Sequence, residues 1–499
     1  MLLPWKSNPR KPKAKPSSAG DRSYRVMRAK FDAAQTTDEN RRHWANADLL
    51  SPDAAASMDV RSILRSRARY EVANNSYARG IVLTLANDTV GTGPRLQMLT
   101  DDPAANAAVE QAFMRWARSV GLPEKLRTMR MARAESGEAF AVLTQNPRIE
   151  GPVQLDVRLV EADQVTTPLS ARSIADDGVD GIEHDRFGNP IAYHVLKRHP
   201  GDTGIHLTSS HLGDEFDRLP AEAVIHLYRV ERPGQSRGIP ELTPALPLFA
   251  QLRRYRLAVL AAAETAADFA LALYTDAPPN GEPDAVEPMD VFELEARMAT
   301  TLPQGWKLGQ VKAEHPSTNH VEFVMSILAE IARCLNMPFN VAAGNSSGYN
   351  YASGRLDHQT YYKAIRVDQA DIAASVLDPI FRGWLNEAIL VTDLLPRWMR
   401  TAEFSSLNHQ WFWDGTEHVD PAKEANAQAT RLSSNTTTLA NEYAKQGRDW
   451  ETELRQRAKE VALVRELGLT APAPGSTPGS DPSPGSEEAV ALDEEDDDA

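Results

Sequence analysis

Apolar residues recur at helical spacing through the first third of the chain, and the period then changes. Asp59–Asn87 reads as one helix, with an acidic first turn, Ile63 and Leu64 early, and Ile81, Leu83 and Leu85 towards its end. Gly91-Thr92-Gly93-Pro94 turns the chain into a strand near Arg95–Leu99. A second helix covers Asp101–Val120, where Val109, Phe113 and Trp116 share one face, and a third covers Lys125–Glu135 and stops at Gly137. Strands follow at Ala139–Leu143 and Val153–Val160. Gly181–Glu183 and Ile191–Leu196 flank Asp185-Arg186-Phe187-Gly188-Asn189-Pro190, a hairpin signal. Val224–Tyr228 is a further strand. It leads through Gly234-Gln235-Ser236-Arg237-Gly238-Ile239-Pro240 into a long alanine-rich helix from about Glu241.

Beyond that helix, Thr275–Pro288 is rich in Pro, Asp and Gly and reads as a loop. A short helix at Val291–Thr300 and a strand at Gly305–Leu308 come next. Phe323, Ile327, Ile331 and Leu335 are spaced at fours on an amphipathic helix over Phe323–Asn336, which Pro338 blocks. Asn340–Gly354 is a Gly-, Asn- and Ser-rich loop before a helix of roughly Arg355–Leu390, which Pro379 should kink. A strand at Ala402–Ser405, a packed aromatic group Trp411-Phe412-Trp413, and helices at about Pro421–Ser433 and Thr438–Leu467 complete the pattern. The fold class is α+β, and no internal repeat is present.

The chain has 499 residues, 42% of them hydrophobic, enough for a substantial core. Its net charge of −15 is uneven. Nine acids and no base lie after Leu469, so the rest of the chain carries only −6. Tight phosphate binding needs clustered Lys and Arg, and this balance does not describe a DNA-gripping surface. Residues 1–22, with Lys11-Pro12-Lys13-Ala14-Lys15-Pro16, and residues from Ala471 onward are expected to be disordered. The basic N-terminal arm reads as a solvated tail, with contact to nucleic acid or an internal capsid protein as the alternative. The Met1–Arg10 stretch lacks the apolar core of a secretory signal. The most membrane-like window, Leu257–Leu273, contains Glu264 and Asp268, each costing about 2.5 to 3.5 kcal/mol at a bilayer centre, so no membrane partner is expected.

Chemical motifs are sparse. Gly344-Asn345-Ser346-Ser347-Gly348 fits G-x-S-x-G, but a nucleophile elbow needs a core strand before it and a helix directly after it. A serine hydrolase using Ser346 is therefore the lesser alternative. No phosphate-binding glycine loop is present, and the pairs His315/His320 and His409/His418 lack further ligands at metal spacing. No catalytic residue, cofactor or metal is expected, and Cys334 reads as a buried, inert thiol. Ala261-Ala262-Ala263 and Ala266-Ala267 slim one helix face. That suits close packing either within the chain or against copies of itself.

Several of these segments stand in the order found in the lambda-type portal proteins of tailed phages, which the chain resembles. They are Tyr77-Ala78-Arg79-Gly80, Asn87–Gly91, Ala134-Glu135-Ser136-Gly137-Glu138-Ala139-Phe140, Leu159–Val165 and Asp185–Tyr193. His226 through Gly238, Ile331–Pro338, Tyr349–Arg355 and Gln446-Gly447-Arg448-Asp449-Trp450 extend the series. Each is weak alone, and the ordered set spans about Asp59–Leu467.

The resemblance implies a twelve-membered ring around a central channel. Its wing would be residues 23–240 with a kinked helix and closing strand at 355–414. Stem helices would be 241–272 and 319–337, the clip 273–318, the tunnel loop 338–354 and the crown 415–468, with an acidic tail over 469–499. Asn345, Ser346, Ser347, Tyr349 and Asn350 would be the loop residues that meet sliding duplex DNA. Glu264 and Asp268 would face the channel or a neighbouring subunit. The resemblance further implies a head–tail connector in the virion, assembled in the host cytoplasm, for packaging and ejection of double-stranded DNA bound non-specifically. Its partners would be a separate terminase large subunit, major capsid and scaffold proteins, and head-completion and tail connector proteins. A capsid-associated protein without a channel is the remaining alternative.

Overall fold

The computed structural model describes residues 37–38, 40–167, 178–202, 216–268, 272–275, 306–309, 319–415 and 421–469. The chain divides into Met1–Ser51 and Pro52–Ala499. The described part of the first unit is a set of turns in which the Arg41 N–H donates to the Thr37 carbonyl at 3.0 Å. The expected N-terminal arm and acidic tail, and the expected helix at Val291–Thr300, lie outside the described residues.

The second unit begins with α1 (Pro52–Ala55), α2 (Met58–Asn74) and α3 (Ser76–Val90). The single helix expected over Asp59–Asn87 is thus two. Asn75 divides them with extended backbone, φ −125° and ψ 116°, while its side chain accepts the Tyr77 N–H at 3.1 Å. An Asx cap competes with helix continuation and wins here. The face of α2 that turns inward carries Arg61, Arg65, Ala68 and Glu71, whereas Ile63 is half exposed. After Gly91 and Gly93, both at positive φ, come β1 (Arg95–Met98), α4 (Pro103–Ser119) and α5 (Leu122–Ser136). Asp102 caps α4 through the Ala104 and Ala105 N–H groups, and Val109, Phe113 and Trp116 are buried on one face as their spacing requires.

Antiparallel sheets follow. β2 (Glu138–Gln145) and β3 (Leu155–Val160) pair with Phe140 opposite Val160. β4 (Gly178–Val179), β5 (Ile182–His184), β6 (Pro190–Leu196) and β7 (Phe216–Pro220) form a four-stranded sheet in that order. The expected hairpin turn joins β5 to β6, where the Asp185 carboxylate accepts the Phe187 and Asn189 N–H groups, both at 2.8 Å. β8 (Val224–Tyr228) joins the first sheet beside β2, giving the order β3-β2-β8.

The expected long helix begins later than Glu241: a 3-10 turn at Thr243–Ala245 precedes α6 (Leu246–Asp268). β9 (Ala272–Thr275) pairs antiparallel with β10 (Trp306–Gly309). Then come α7 (Asn319–Cys334), α8 (Phe339–Ala343) and α9 (Tyr351–Ile372). α9 runs through a π turn at Ala373–Leu377 into α10 (Asp378–Ala388). Pro379 has no N–H to give to the preceding turn, and the widened turn absorbs that loss without ending the helix.

The strand expected at Ala402–Ser405 is a 3-10 turn at Phe404–Ser406 instead. The strand is β11 (His409–Phe412), paired antiparallel with β1 so that Arg95 faces Phe412. Its alternation was obscured because Trp411, Phe412 and Trp413 all have apolar neighbours. α11 (Pro421–Ser433), α12 (Leu439–Lys445) and α13 (Trp450–Glu466) end the described chain. The helix expected over Thr438–Leu467 is broken at Gly447, whose φ of +70° lies in the left-handed region.

The larger core joins α4, α5, β2, β3 and α10 around Phe113, Trp116, Phe381 and Trp384. Phe113 meets Trp384 edge to face at 5.3 Å, and the Trp116 indole donates to the Leu155 carbonyl at 2.8 Å. A second core joins α3, α6, α7 and α9 through Phe249, Ile327, Ile331 and Tyr361. Phe113→Ala should lower unfolding stability by about 3–5 kcal/mol. Phe187→Ala, at a ring 74% exposed, should change it by at most about 1 kcal/mol. Denaturant titration of both variants checks the contrast.

Candidate functional site

The turn Gly234-Gln235-Ser236-Arg237-Gly238 is folded by its own side chains and then pinned to the start of β2. The Gln235 carbonyl group Oε1 accepts the Glu231 and Arg232 N–H groups, and its Nε2 donates to the Arg237 carbonyl at 2.8 Å. Ser236 donates twice to the Asp53 carboxylate, from N–H at 2.8 Å and from Oγ at 2.9 Å. Gly238 lies so close to Gly137 that a Cβ on it would stand 2.1 Å from the Gly137 carbonyl oxygen. Gly137 itself caps α5 at φ +89°, and a Cβ there would stand 2.4 Å from the Ile239 carbonyl carbon. Both positions require glycine.

Arg237 is fully buried among acceptors. Its Nε and one terminal nitrogen donate to Glu138 at 2.7–3.0 Å, and it also donates to the main-chain carbonyls of Val165, Asp180 and Ala162. Glu138 in turn holds Arg65 at 3.1 Å, His226 at 3.0 Å and the Gly238 N–H at 3.0 Å. Arg65 reaches Asp163 at 2.8 Å, and Arg61 pairs with Asp180. Arg61, Arg65 and Arg237 thus stand against Glu138, Asp163 and Asp180, and Arg69 joins them at Asp163.

A second clamp lies just beyond. Glu241 accepts from Arg130 at 2.9 Å and Arg133 at 3.0 Å, and Asp368 accepts from both arginines at 2.9 Å. It ties α5 to α9 and to the segment entering α6.

Burial alone would push the Glu138 carboxyl up, but Arg237 and His226 outweigh it and hold the group well below the usual carboxylate range. Burial pushes the His226 imidazole down, with the bond to Glu138 opposing. Glu241 is likewise raised by burial and then drawn down to about 2 by Arg130, Arg133 and Arg229.

Past the clamps the chain enters α6, which packs on α2 and α7. Arg253 of α6 donates to Glu71 at 3.2 Å and lies over the Tyr70 ring, and Tyr255 meets the Phe323 ring of α7 at 4.4 Å. Farther along, apolar side chains face outward: Leu257 and Leu260 on α6, and Val321 and Met325 on α7. Glu264 is exposed on the same stretch of α6. Asp268 is the last residue of α6, and its side chain lies outside the described set.

The loop expected over Asn340–Gly354 is shorter than its composition suggested. α8 occupies Phe339–Ala343 and α9 starts at Tyr351, so the connection is Gly344–Asn350. Asn345, Ser346 and Ser347 are exposed and Tyr349 is half-buried. Asn350 caps α9, accepting the Ser353 N–H at 2.9 Å while Ser353 Oγ accepts from the Asn350 N–H. Buried Asn340 holds the near end: its carbonyl accepts the Asn345 N–H at 3.0 Å and its Nδ2 lies 3.2 Å from His358 Nε2. Ser346 follows a helix and not a strand, so it forms no nucleophile elbow.

Cys334 is half-buried, its thiol donates to the Glu241 carbonyl at 3.4 Å, and burial pushes its pKa up, which fits an inert group. Glu161, Asp163 and His199 lie within ligand reach of one another. Arg65 and Arg69 already pair with Asp163 at 2.8 and 2.7 Å. His199 Nδ1 accepts the Gly201 N–H at 3.0 Å, and its Nε2 lies 3.1 Å from Glu161. That donor set suits an ion pair better than a metal. Sequence reasoning missed both arginine clamps, although Gly137-Glu138 and Arg237-Gly238 were the visible ends of the first.

Residues 38–369 match the phage portal proteins of the lambda family. The chain belongs to that family. A probable portal protein of Halomonas phage phiHAP-1 is 26% identical over 438 residues, covering 82% of each protein. The neck of an empty gene transfer agent particle, computed with C6 symmetry, contains a chain with a TM-score of 0.47 at 14% identity; 76% of this chain and 92% of that one are covered. The neck of a native particle, computed with C12 symmetry, gives 0.45 at 14% identity over 77% and 92%. The family is structural, and the hydrolase alternative finds no support. No helix among the described residues is long and apolar enough to cross a membrane.

Arg237→Met would leave Glu138 buried with one partner fewer, and should lower stability by about 3–5 kcal/mol. Acid should weaken the same clamp. Glu138 has a folded pKa below its ordinary 4.5, so its contribution is complete above that pH and is lost as pH falls. His226 is held below 6.5, so the unfolded chain gains the proton first and stability starts to fall below pH 6.5. Between pH 7 and 5 the thermal unfolding midpoint of the parent should therefore fall relative to that of His226→Gln.

Proposed function

We propose that this portal-family protein is the head–tail connector of a phage particle, assembling as a ring, with a dodecamer as the expected count, around a channel for double-stranded DNA. Family membership carries this reading. The outward apolar side chains of α6 and α7 support it, because Leu257, Leu260, Val321 and Met325 gain about 25 cal/mol per Å² when neighbouring copies cover them. In this reading α6 and α7 are the stem, β9 and β10 belong to the clip, and α11–α13 form the crown. The ring sits at one capsid vertex, assembles in the host cytoplasm, and receives a separate terminase motor and later the head-completion and tail proteins.

Gly344–Asn350 is the tunnel loop. Duplex DNA carries one charge per about 1.7 Å of axis, and a strongly basic wall would hold it through counterion release. Asn345, Ser346, Ser347 and Tyr349 are uncharged, so they touch phosphates without trapping them. Asn350 serves the loop as its helical cap. Glu264 and Asp268 lie on the stem, towards the channel or a neighbouring subunit.

Negative-stain images of purified protein should show rings with a central hole. Shortening the loop within residues 345–349, which spares the Asn350 cap, should leave those rings intact and reduce DNA packaging or retention severalfold, counted as filled heads. A normal yield of filled, infectious heads from the deletion would sink the tunnel-loop assignment, and the absence of rings would sink the connector.

A further inference from the structure

α6 and α7 lie side by side and antiparallel. At one end the Cys334 thiol of α7 donates to the Glu241 carbonyl just before α6, at 3.4 Å. Farther along, the Tyr255 ring of α6 meets Phe323 of α7 at 4.4 Å and stacks on His320 at 5.4 Å. These contacts set the two helices in register, so residues next to Tyr255 stand level with residues next to Phe323. Arg254 and Glu322 are two such neighbours, and both are exposed. Leu252 and Tyr255 mark the inner side of α6, and Arg254 shares the outer side with the exposed Leu257. Ile327, Leu328 and Ile331 mark the inner side of α7, and Glu322 shares its outer side with the exposed Met325.

The helix pair thus shows a cation beside an apolar side chain on one flank, and an anion beside an apolar side chain on the opposite flank at the same level. Among the described residues neither Arg254 nor Glu322 has a hydrogen bond or an ion pair. The other charges nearby are placed elsewhere. Arg253 is held by Glu71 at 3.2 Å, and Arg256, two residues beyond Arg254, leaves α6 on the opposite side. Glu264 stands about 15 Å farther along α6, and Glu330 about 12 Å along α7 in the other direction. Arg333 donates to Asn336 at 3.3 Å.

Rotation about a ring axis leaves the height of a residue along that axis unchanged, so each residue of one copy meets residues at its own height on the next. A ring closed head to tail also brings opposite flanks of the same chain together. Resting on the ring reading above, with α6 and α7 along its axis, we propose that Arg254 of one copy pairs with Glu322 of the next, Leu257 and Met325 packing beside the pair. The occupant of each flank is a second copy of this chain, because the two flanks complement each other in charge at one level. An unrelated partner would need to match only one of them.

Sedimentation and negative-stain ring counts of the full-length protein over a concentration series test this. Arg254→Glu and Glu322→Arg each place like charges at every contact of the ring, and each should raise the concentration for half-assembly at least about tenfold. Both positions are exposed, so both variants should keep the circular dichroism of the parent. An equimolar mixture of the two should assemble within about threefold of the parent, because in alternating order each contact regains one Arg and one Glu. Parent-like assembly of either single variant, or a mixture that stays dissociated, would overturn the pairing and leave the connector standing. A parent that forms no rings overturns both. Should a reversal fail to fold, Arg254→Gln and Glu322→Gln must each raise the half-assembly concentration and the double variant must raise it no further; additive effects overturn the pairing equally.

Discussion

A single buried carboxylate decides how the parts of this protein meet. Glu138 starts β2, and its two oxygens gather Arg65 from α2, His226 from β8, and Arg237 and the Gly238 N–H from the turn before α6. Removing any one cation leaves charge in a dry interior, which is far costlier than never having placed it there. The arrangement is thus weak as a source of net stability and strong as a source of geometry. It admits one approach of the turn to the helix–strand junction, and the two glycines that touch there make the approach close. The direction of α6 follows from that approach, and Glu241 fixes it a second time against α5 and α9.

This explains what could be read from the chain and what could not. α4 was legible because Val109, Phe113 and Trp116 repeat at the helical period and that face is the one buried. α2 misleads the same test: Arg61 and Arg65 point inward and Ile63 outward, because the local interior is ionic. A hydrophobic pattern cannot register a buried arginine whose partner lies 73 residues away. The divided helix at Asn75 and the displaced strand at His409–Phe412 failed for related reasons. One side-chain cap outcompeted a good helical pattern, and three consecutive aromatics concealed an alternating strand.

The candidate loop illustrates a different limit. Composition marked Asn340–Gly354 as flexible, but small polar residues also make fixed contacts: Asn350 caps α9, and Asn340 accepts the Asn345 N–H and lies against His358. Asn340 and Asn350 are structural fixtures, which leaves Asn345, Ser346 and Ser347 as the freely presented groups. The G-x-S-x-G pattern falls within the same few residues and has the wrong element before it. What the segment shares with an enzyme is composition alone.

The pairing of β1 with β11 has a consequence for how the chain is made. Arg95 and its neighbours find their partners only at Phe412 and the residues before it. At a synthesis rate of about 5–20 residues per second, the ribosome needs roughly 15–60 s to produce that partner. For this interval the edge of β1 is an unpaired template beside a nascent helical core. Its polar Arg95 and Gln97 make it a poor seed for mispairing. β1 is therefore closed only after most of the chain has been made.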